Sequence, residues 1–165
     1  MIKRLNVMSV AVVLAIAAPG SALAADPPKE GSYEFTACYS GVANPITFSK
    51  THSVVSYEHS GAVLSSPPGG MFDKGTFHCV GLSTSFDGKA TNNTVCETIF
   101  PDGDRILAKF TLQPDGTTVR EAVTGTGKYE GVVSGGAVMS LGPFPTVKAG
   151  TYQTCNHQTG TYRLK

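Results

Sequence analysis

Three Asp-Gly dipeptides, Asp87-Gly88, Asp102-Gly103 and Asp115-Gly116, punctuate the middle of the chain at short intervals. Each separates two runs rich in β-branched and aromatic residues. Asp-Gly favours tight turns with positive φ, whose twist matches that of two antiparallel strands, so three in succession predict a meander of hairpins. No stretch after residue 24 carries a sustained apolar i, i+3, i+4, i+7 pattern, which argues against helices. Strands are expected at Ser32–Tyr39, Val54–Glu58, Gly75–Ser83, Thr94–Phe100, Arg105–Leu112, Thr118–Thr124, Gly131–Met139, Thr151–Asn156 and Thr161–Leu164. Eight or nine short strands joined by tight turns form a barrel or a sandwich.

Hairpin registers follow from the turns. A two-residue Asp87-Gly88 turn sets Cys79 opposite Cys96 and His78 opposite Glu97. The cysteine match is independent support, because directly opposed cysteines in an antiparallel pair lie close enough to bridge. Cys38 and Cys155 then pair with each other and tie the first strand to a late one, as closure of a sheet requires. Treating the next two turns alike sets Ile99 opposite Ile106 and Leu112 opposite Val119. That places Val80, Leu82, Val95, Glu97, Ile99, Ile106, Ala108, Phe110, Val119, Glu121 and Val123 on one face. Cys79, Cys96, Thr98, Arg105, Lys109 and Arg120 fall on the other. The first face is the more apolar and is read as the interior. A one-residue bulge would invert that assignment from its position onward.

The N-terminus reads as an export signal. Lys3 and Arg4 precede an apolar run of 12 residues, Val7 to Ala18. Pro19-Gly20 breaks it, and Ala22-Leu23-Ala24 supplies a small-x-small cleavage pattern, placing the cut after Ala24. The run is shorter than the roughly 20 residues that span a bilayer, and no Cys follows the cut to carry a lipid, so no membrane anchor is expected. The mature part would be a single domain of 141 residues, 25–165. Without Lys3 and Arg4 it carries 11 basic and 12 acidic residues, which offers no electrostatic pull towards nucleic acid or anionic membrane. The bacterial style of the signal points to the periplasm or medium, where the Asn92-Asn93-Thr94 acceptor pattern is inert. All four cysteines lie in the mature part, and an even count in an oxidising compartment predicts two disulfides. The spacing argues against a metal site: there is no C-x-x-C, and His78 and His157 form no ligand cluster.

The stretch Val123-Thr124-Gly125-Thr126-Gly127-Lys128-Tyr129-Glu130-Gly131, followed by Val132 to Met139 with Gly135 and Gly136 inside, resembles the glycine-rich turn of the allene oxide cyclase and dirigent barrels. The Asp102-Gly103-Asp104 turn is similar to that family's central hairpin. The likeness spans about Thr94 to Met139 and is closest to the family's secreted bacterial members. It implies an eight-stranded antiparallel, calycin-like barrel with a lumen for a small apolar molecule, and chemistry without a cofactor. The matched turn is structural, so no catalytic residue carries over, and fold transfers better than function.

On these registers His78 and Glu97 form a candidate acid–base pair inside the barrel, with Glu121 on the same face one hairpin away. The plainer readings are a buried ion pair, or a pair at the rim in water. Ile99, Phe110 and Val119 are candidate ligand contacts. His52 and His59 read as solvated surface, and Tyr33, Tyr57, Tyr129 and Tyr152 as lining or rim. The Pro67-Pro68-Gly69-Gly70-Met71-Phe72 loop reads as a lid over the mouth or a long connection. No Gly-x-Ser-x-Gly elbow exists, and paired cysteines leave no thiol nucleophile, so a hydrolase is not expected. The leading expectation is lumen binding of a small, largely apolar molecule. A cofactor-free isomerase or cyclase, and a secreted interaction or inhibitor module, are the alternatives.

Overall fold

Eight antiparallel strands follow one another around a closed barrel in the computed structural model, which describes residues 28–165. They are β1 (Glu30–Thr47), β2 (His52–Ser65), β3 (Thr76–Phe86), β4 (Lys89–Ile99), β5 (Arg105–Leu112), β6 (Thr118–Gly125), β7 (Val133–Phe144) and β8 (Thr151–Arg163). Every strand pairs with its neighbour in sequence, and β1 pairs with β8 to close the ring. Closure satisfies the backbone of both edges and removes the template for edge-to-edge aggregation. The export signal read over residues 1–24 lies outside the described residues.

Both expected disulfides are present, Cys79–Cys96 and Cys38–Cys155. Each joins directly opposed residues with Cα atoms about 4 Å apart. The β3–β4 register also holds, with His78 opposite Glu97. Asp87 (φ 48°) and Gly88 (φ 80°) both occupy the left-handed region, as a two-residue turn of this kind requires.

The next two turns differ, and the difference inverts the faces. Gln113 pairs across its turn with Thr117, and Phe100 with Asp104, so each loop holds three residues, Pro-Asp-Gly. Proline pre-sets φ for the first position of a type I turn, and the glycine follows in the left-handed region (Gly103 φ 89°, Gly116 φ 85°). Each aspartate then accepts the N–H two residues on, Asp102 from Asp104 at 3.1 Å and Asp115 from Thr117 at 2.9 Å. The extra residue slips β4 against β5 by one, so that Cys96 faces Ala108 and Thr98 faces Ile106. The Pro114-Asp115-Gly116 turn does the same for β5 against β6, setting Phe110 opposite Arg120, and a bulge between Leu107 and Ala108 then returns the far end of the pair to Leu107 opposite Thr124.

The interior therefore carries Cys79, Thr94, Cys96, Thr98 and Arg120 beside Ile106, Ala108 and Phe110. Val80, Leu82, Val95, Ile99 and Val123, expected inside, are exposed on the outer face. Arg105 and Lys109 do lie outside. Apolarity misled because β-branched and aliphatic residues favour strands on either face, whether or not they are buried.

Two segments read as separate, Thr151–Asn156 and Thr161–Leu164, form the single strand β8 through Gly160. Gly160 serves packing, not a turn. A Cβ there would stand 2.6 Å from the Tyr33 hydroxyl, and Gly136 on β7 meets the same oxygen at the same distance. The two glycines make space for the Tyr33 ring inside the barrel.

One end of the barrel is sealed. Tyr33, Phe35, Val63, Phe72, Phe100, Ile106, Tyr129, Val132, Tyr162 and Leu164 form one buried cluster there. Full burial of an Ile or Phe side chain contributes about 1.5–3 kcal/mol. Phe72 comes from the 66–75 loop, which is thus neither a lid nor an idle connection. Its ring meets Tyr33 edge-on at 4.8 Å and Phe35 at 5.4 Å, plugging the floor. The glycine-rich turn contributes Tyr129, held in a single 3-10 turn, and its hydroxyl donates to the Met71 carbonyl at 3.0 Å. The Lys128 N–H donates to the Asp104 carboxylate and anchors this turn to the 100–104 loop.

Candidate functional site

Above the Phe72 floor the barrel holds a cavity of about 420 Å³. That size falls within the range of small-molecule sites. Inward positions of all eight strands contribute to its wall, and the residues farthest from the floor, such as Ala43, are exposed.

The wall has three zones. Phe35, Val63, Phe72, Phe77 and Phe110 supply apolar surface in the lower part. A collar of Tyr39, Tyr57, His59 and Tyr152 follows, with Tyr39 stacked on the imidazole of His59 at 4.2 Å and 25°. Polar groups complete it: Asn92, Thr94, Asn156, Gln158 and Arg120. Tyr57 Oη donates to Asn92 Oδ1 at 2.8 Å and lies 2.6 Å from Thr94 Oγ1.

His59 is the acid–base group of this lumen, a residue the sequence had suggested was surface. It sits on β2 opposite Cys79, and its Nδ1 lies 2.9 Å from Tyr152 Oη. Burial, and secondarily the charge of His78, push its pKa down to about 4, so the imidazole is neutral at neutral pH. Tyr152 is pushed up to about 12, first by burial and then by Tyr39 and Tyr57. His59 also lies against Cys79 and Cys96, with donor atoms within 4.8 Å of one another. The two sulfurs are bonded to each other, so they do not supply the thiolates a soft metal would need.

The neutral His59 has a consequence for stability. In the unfolded chain histidine takes up its proton near pH 6.5, whereas the folded protein resists until about pH 4. The unfolded state binds more protons across that window, so stability falls as pH drops from about 6.5 to 4 and loses nothing further from this group below it. The ring is only partly buried, and solvent screening reduces the expected loss to about 1–2 kcal/mol. Asp73, held low chiefly by the Ser65 N–H, and Asp102, held low by the Lys128 side chain, contribute stability that is lost only below that window. Urea midpoints measured from pH 7 to 4 should show the slope in the native protein and a flattened one in His59→Gln. Equal slopes would mean that His59 does not set it.

The residues singled out from sequence are dispersed. His78 and Glu97 do face each other, but on the outer surface: His78 is exposed and lies 3.8 Å from Glu58, while Glu97 accepts from Arg105 at 3.0 Å. Their placement inside the barrel is corrected by the three-residue turns that follow β4. Glu121 is likewise outside, paired with Lys109 at 2.8 Å. Ile99 is exposed and Val119 points away from the lumen; of the proposed ligand contacts only Phe110 lines the cavity. Such exposed ion pairs contribute little to stability. Arg120 and His59 were missed, although Pro101 and Pro114 ahead of their Asp-Gly pairs signal the three-residue loops that bring Arg120 inside.

The class of protein defined here is a small, doubly disulfide-bonded, eight-stranded antiparallel barrel with a floor, a mouth and a lumen of mixed polarity. No protein-family model, curated protein or solved structure matches the chain.

Proposed function

We propose that this chain is an exported barrel that binds a small, largely apolar molecule in its lumen. The observation that carries the reading is the cavity of about 420 Å³, closed below by Phe72 and walled by aromatic rings. Apolar walls with a few placed polar groups are the usual make-up of a ligand site. The resemblance of residues 94–139 to allene oxide cyclase and dirigent barrels supports it, and the two disulfides suit the oxidising compartment to which the N-terminal signal points.

Native mass spectrometry and titration calorimetry against a panel of fatty acids and phenolics should detect saturable, one-to-one binding. Thr118→Trp, which places a large ring among the cavity-lining residues, should weaken it at least about tenfold, a loss of about 1.4 kcal/mol. Val80→Ser on the outer face should leave it unchanged. A panel without a single saturable ligand would sink the reading.

A cofactor-free isomerase or cyclase working in the same lumen is the second reading. What favours it is the His59–Tyr152 contact, a neutral base beside a phenol inside a cavity that shields a reactive substrate from water. The acid–base role then moves from His78 and Glu97 to this pair.

A further inference from the structure

Among the described residues the lumen contains one strong cation with no anion to match it. Arg120, projecting inward from β6, is 4 % exposed, and no carboxylate among the described residues lies within ion-pair distance of it. Its guanidinium donates to Ser134 Oγ at 2.9 Å and lies over the ring faces of Phe72 at 4.7 Å and Tyr33 at 5.7 Å. A guanidinium carries five N–H donors, and most of these are left without a protein acceptor. Two further buried polar atoms lack partners, the Tyr33 hydroxyl and Gln158 Oε1. Gln158 and Arg120 both line the cavity, and Tyr33 is the ring beneath the guanidinium.

Burying an uncompensated charge is expensive, and proteins ordinarily pair it. Cation–π contact with two rings offsets part of that expense, but rings do not satisfy N–H donors. Arginine stays protonated even when buried, so the mismatch is not relieved by loss of the proton. The acidic side chains nearest in sequence, Glu121 and Asp115, are both exposed, and Glu121 is already bound to Lys109. The charge is therefore placed for something that enters from outside.

We propose that the lumen's ligand is a compact aromatic monocarboxylate, whose carboxylate docks on Arg120 above the Phe72 floor. This rests on the reading of the barrel as a ligand-binding protein. The single cation argues for a monoanion, because a phosphate dianion would leave charge unmatched in a wall where, among the described residues, the one other basic side chain is the neutral His59. The planar collar of Tyr39, His59 and Tyr57, stacked through His59, suits an aromatic body. Carboxylate and guanidinium form paired, charge-assisted hydrogen bonds that strengthen away from water.

The test uses 2-naphthoate and its uncharged counterpart 2-naphthamide, titrated into the full disulfide-bonded protein. Naphthoate should bind roughly 10- to 100-fold more tightly than the amide. Arg120→Gln should remove that preference while retaining binding of the amide, and Arg120→Lys, which keeps the charge but not the paired donors, should retain part of it. The comparison of acid with amide on the native protein does not depend on any variant folding. Equal affinities for acid and amide, unaltered in Arg120→Lys, would overturn the anion site and leave the lumen reading standing. No binding of either probe or of the wider panel would overturn both.

Discussion

Replacing Cys38 and Cys155 by serine is expected to destabilise the protein by about 4–5 kcal/mol, and removing the Cys79–Cys96 bond by about 3 kcal/mol. The ranking comes from chain entropy. The first bond closes a separation of 117 residues and the second one of 17, and longer loops constrain the unfolded chain more. Topology acts in the same direction. Cys38–Cys155 crosses the β1–β8 contact that closes the barrel, whereas β3 and β4 are already held by the two-residue turn at Asp87-Gly88. Location differs too: Cys38 is exposed on the outer surface, while Cys79 and Cys96 are buried in the lumen wall. Alanine is accordingly the better replacement at the inner pair, since serine hydroxyls would be buried there. Urea denaturation of the two double variants decides the matter. If loss of the inner bond proved the more damaging, packing in the lumen rather than ring closure would be what the disulfides contribute.

Phe72→Ala should cost about 3–5 kcal/mol, the range found when a large buried aromatic ring is truncated. Phe72 is 2 % exposed and touches three rings, with centroids 4.8 Å from Tyr33, 5.4 Å from Phe35 and 6.3 Å from Phe100. It arrives on a connection rather than a strand, and Asp73 beside it accepts the N–H groups of Ser65 and Gly69 to fix the loop's course. Truncation leaves a void beneath the lumen and strips Arg120 of its nearer aromatic face. The expected result is therefore double: a lower unfolding free energy and a larger, wetter cavity. A variant within about 1 kcal/mol of the native protein would show that the loop does not seal the floor (at least about a thirtyfold change in the folding equilibrium separates the two outcomes).

Much of this architecture was legible in the chain, for local reasons. Strand runs alternate with turns whose dihedral demands only Gly, Asp and Pro meet cheaply, so hairpins declare themselves without tertiary information. The Asp87-Gly88 turn is short enough to set its register alone, and both disulfides followed from it. The eight-stranded closed barrel was expected from the strand count and the resemblance at residues 123–131.

Orientation was the part that local rules misjudged. Pro101 and Pro114 each add a residue to a turn and so invert β4 and β6 against β5, whose inward face of Ile106, Ala108 and Phe110 is the expected one. The bulge at Val123 shifts only the far end of β6. Because side chains alternate with a period of two, each single-residue shift exchanges the faces completely. The apolar outer residues Val80, Leu82, Val95 and Ile99 then pulled the inference the wrong way, since β-branched and aliphatic residues favour strands whether or not they are buried.

What the sequence determined alone is therefore the part governed by neighbouring residues: strand-rich character, the order of hairpins, and the pairing of four cysteines. The tertiary structure alone decided that Phe72 fills the floor and that His59 and Arg120 share one cavity. Those outcomes depend on residues far apart in the chain competing for a closed space of fixed circumference. In that space a glycine at position 136 or 160 matters for the room it leaves to Tyr33, and an arginine is inside because its strand's register leaves it nowhere else to point.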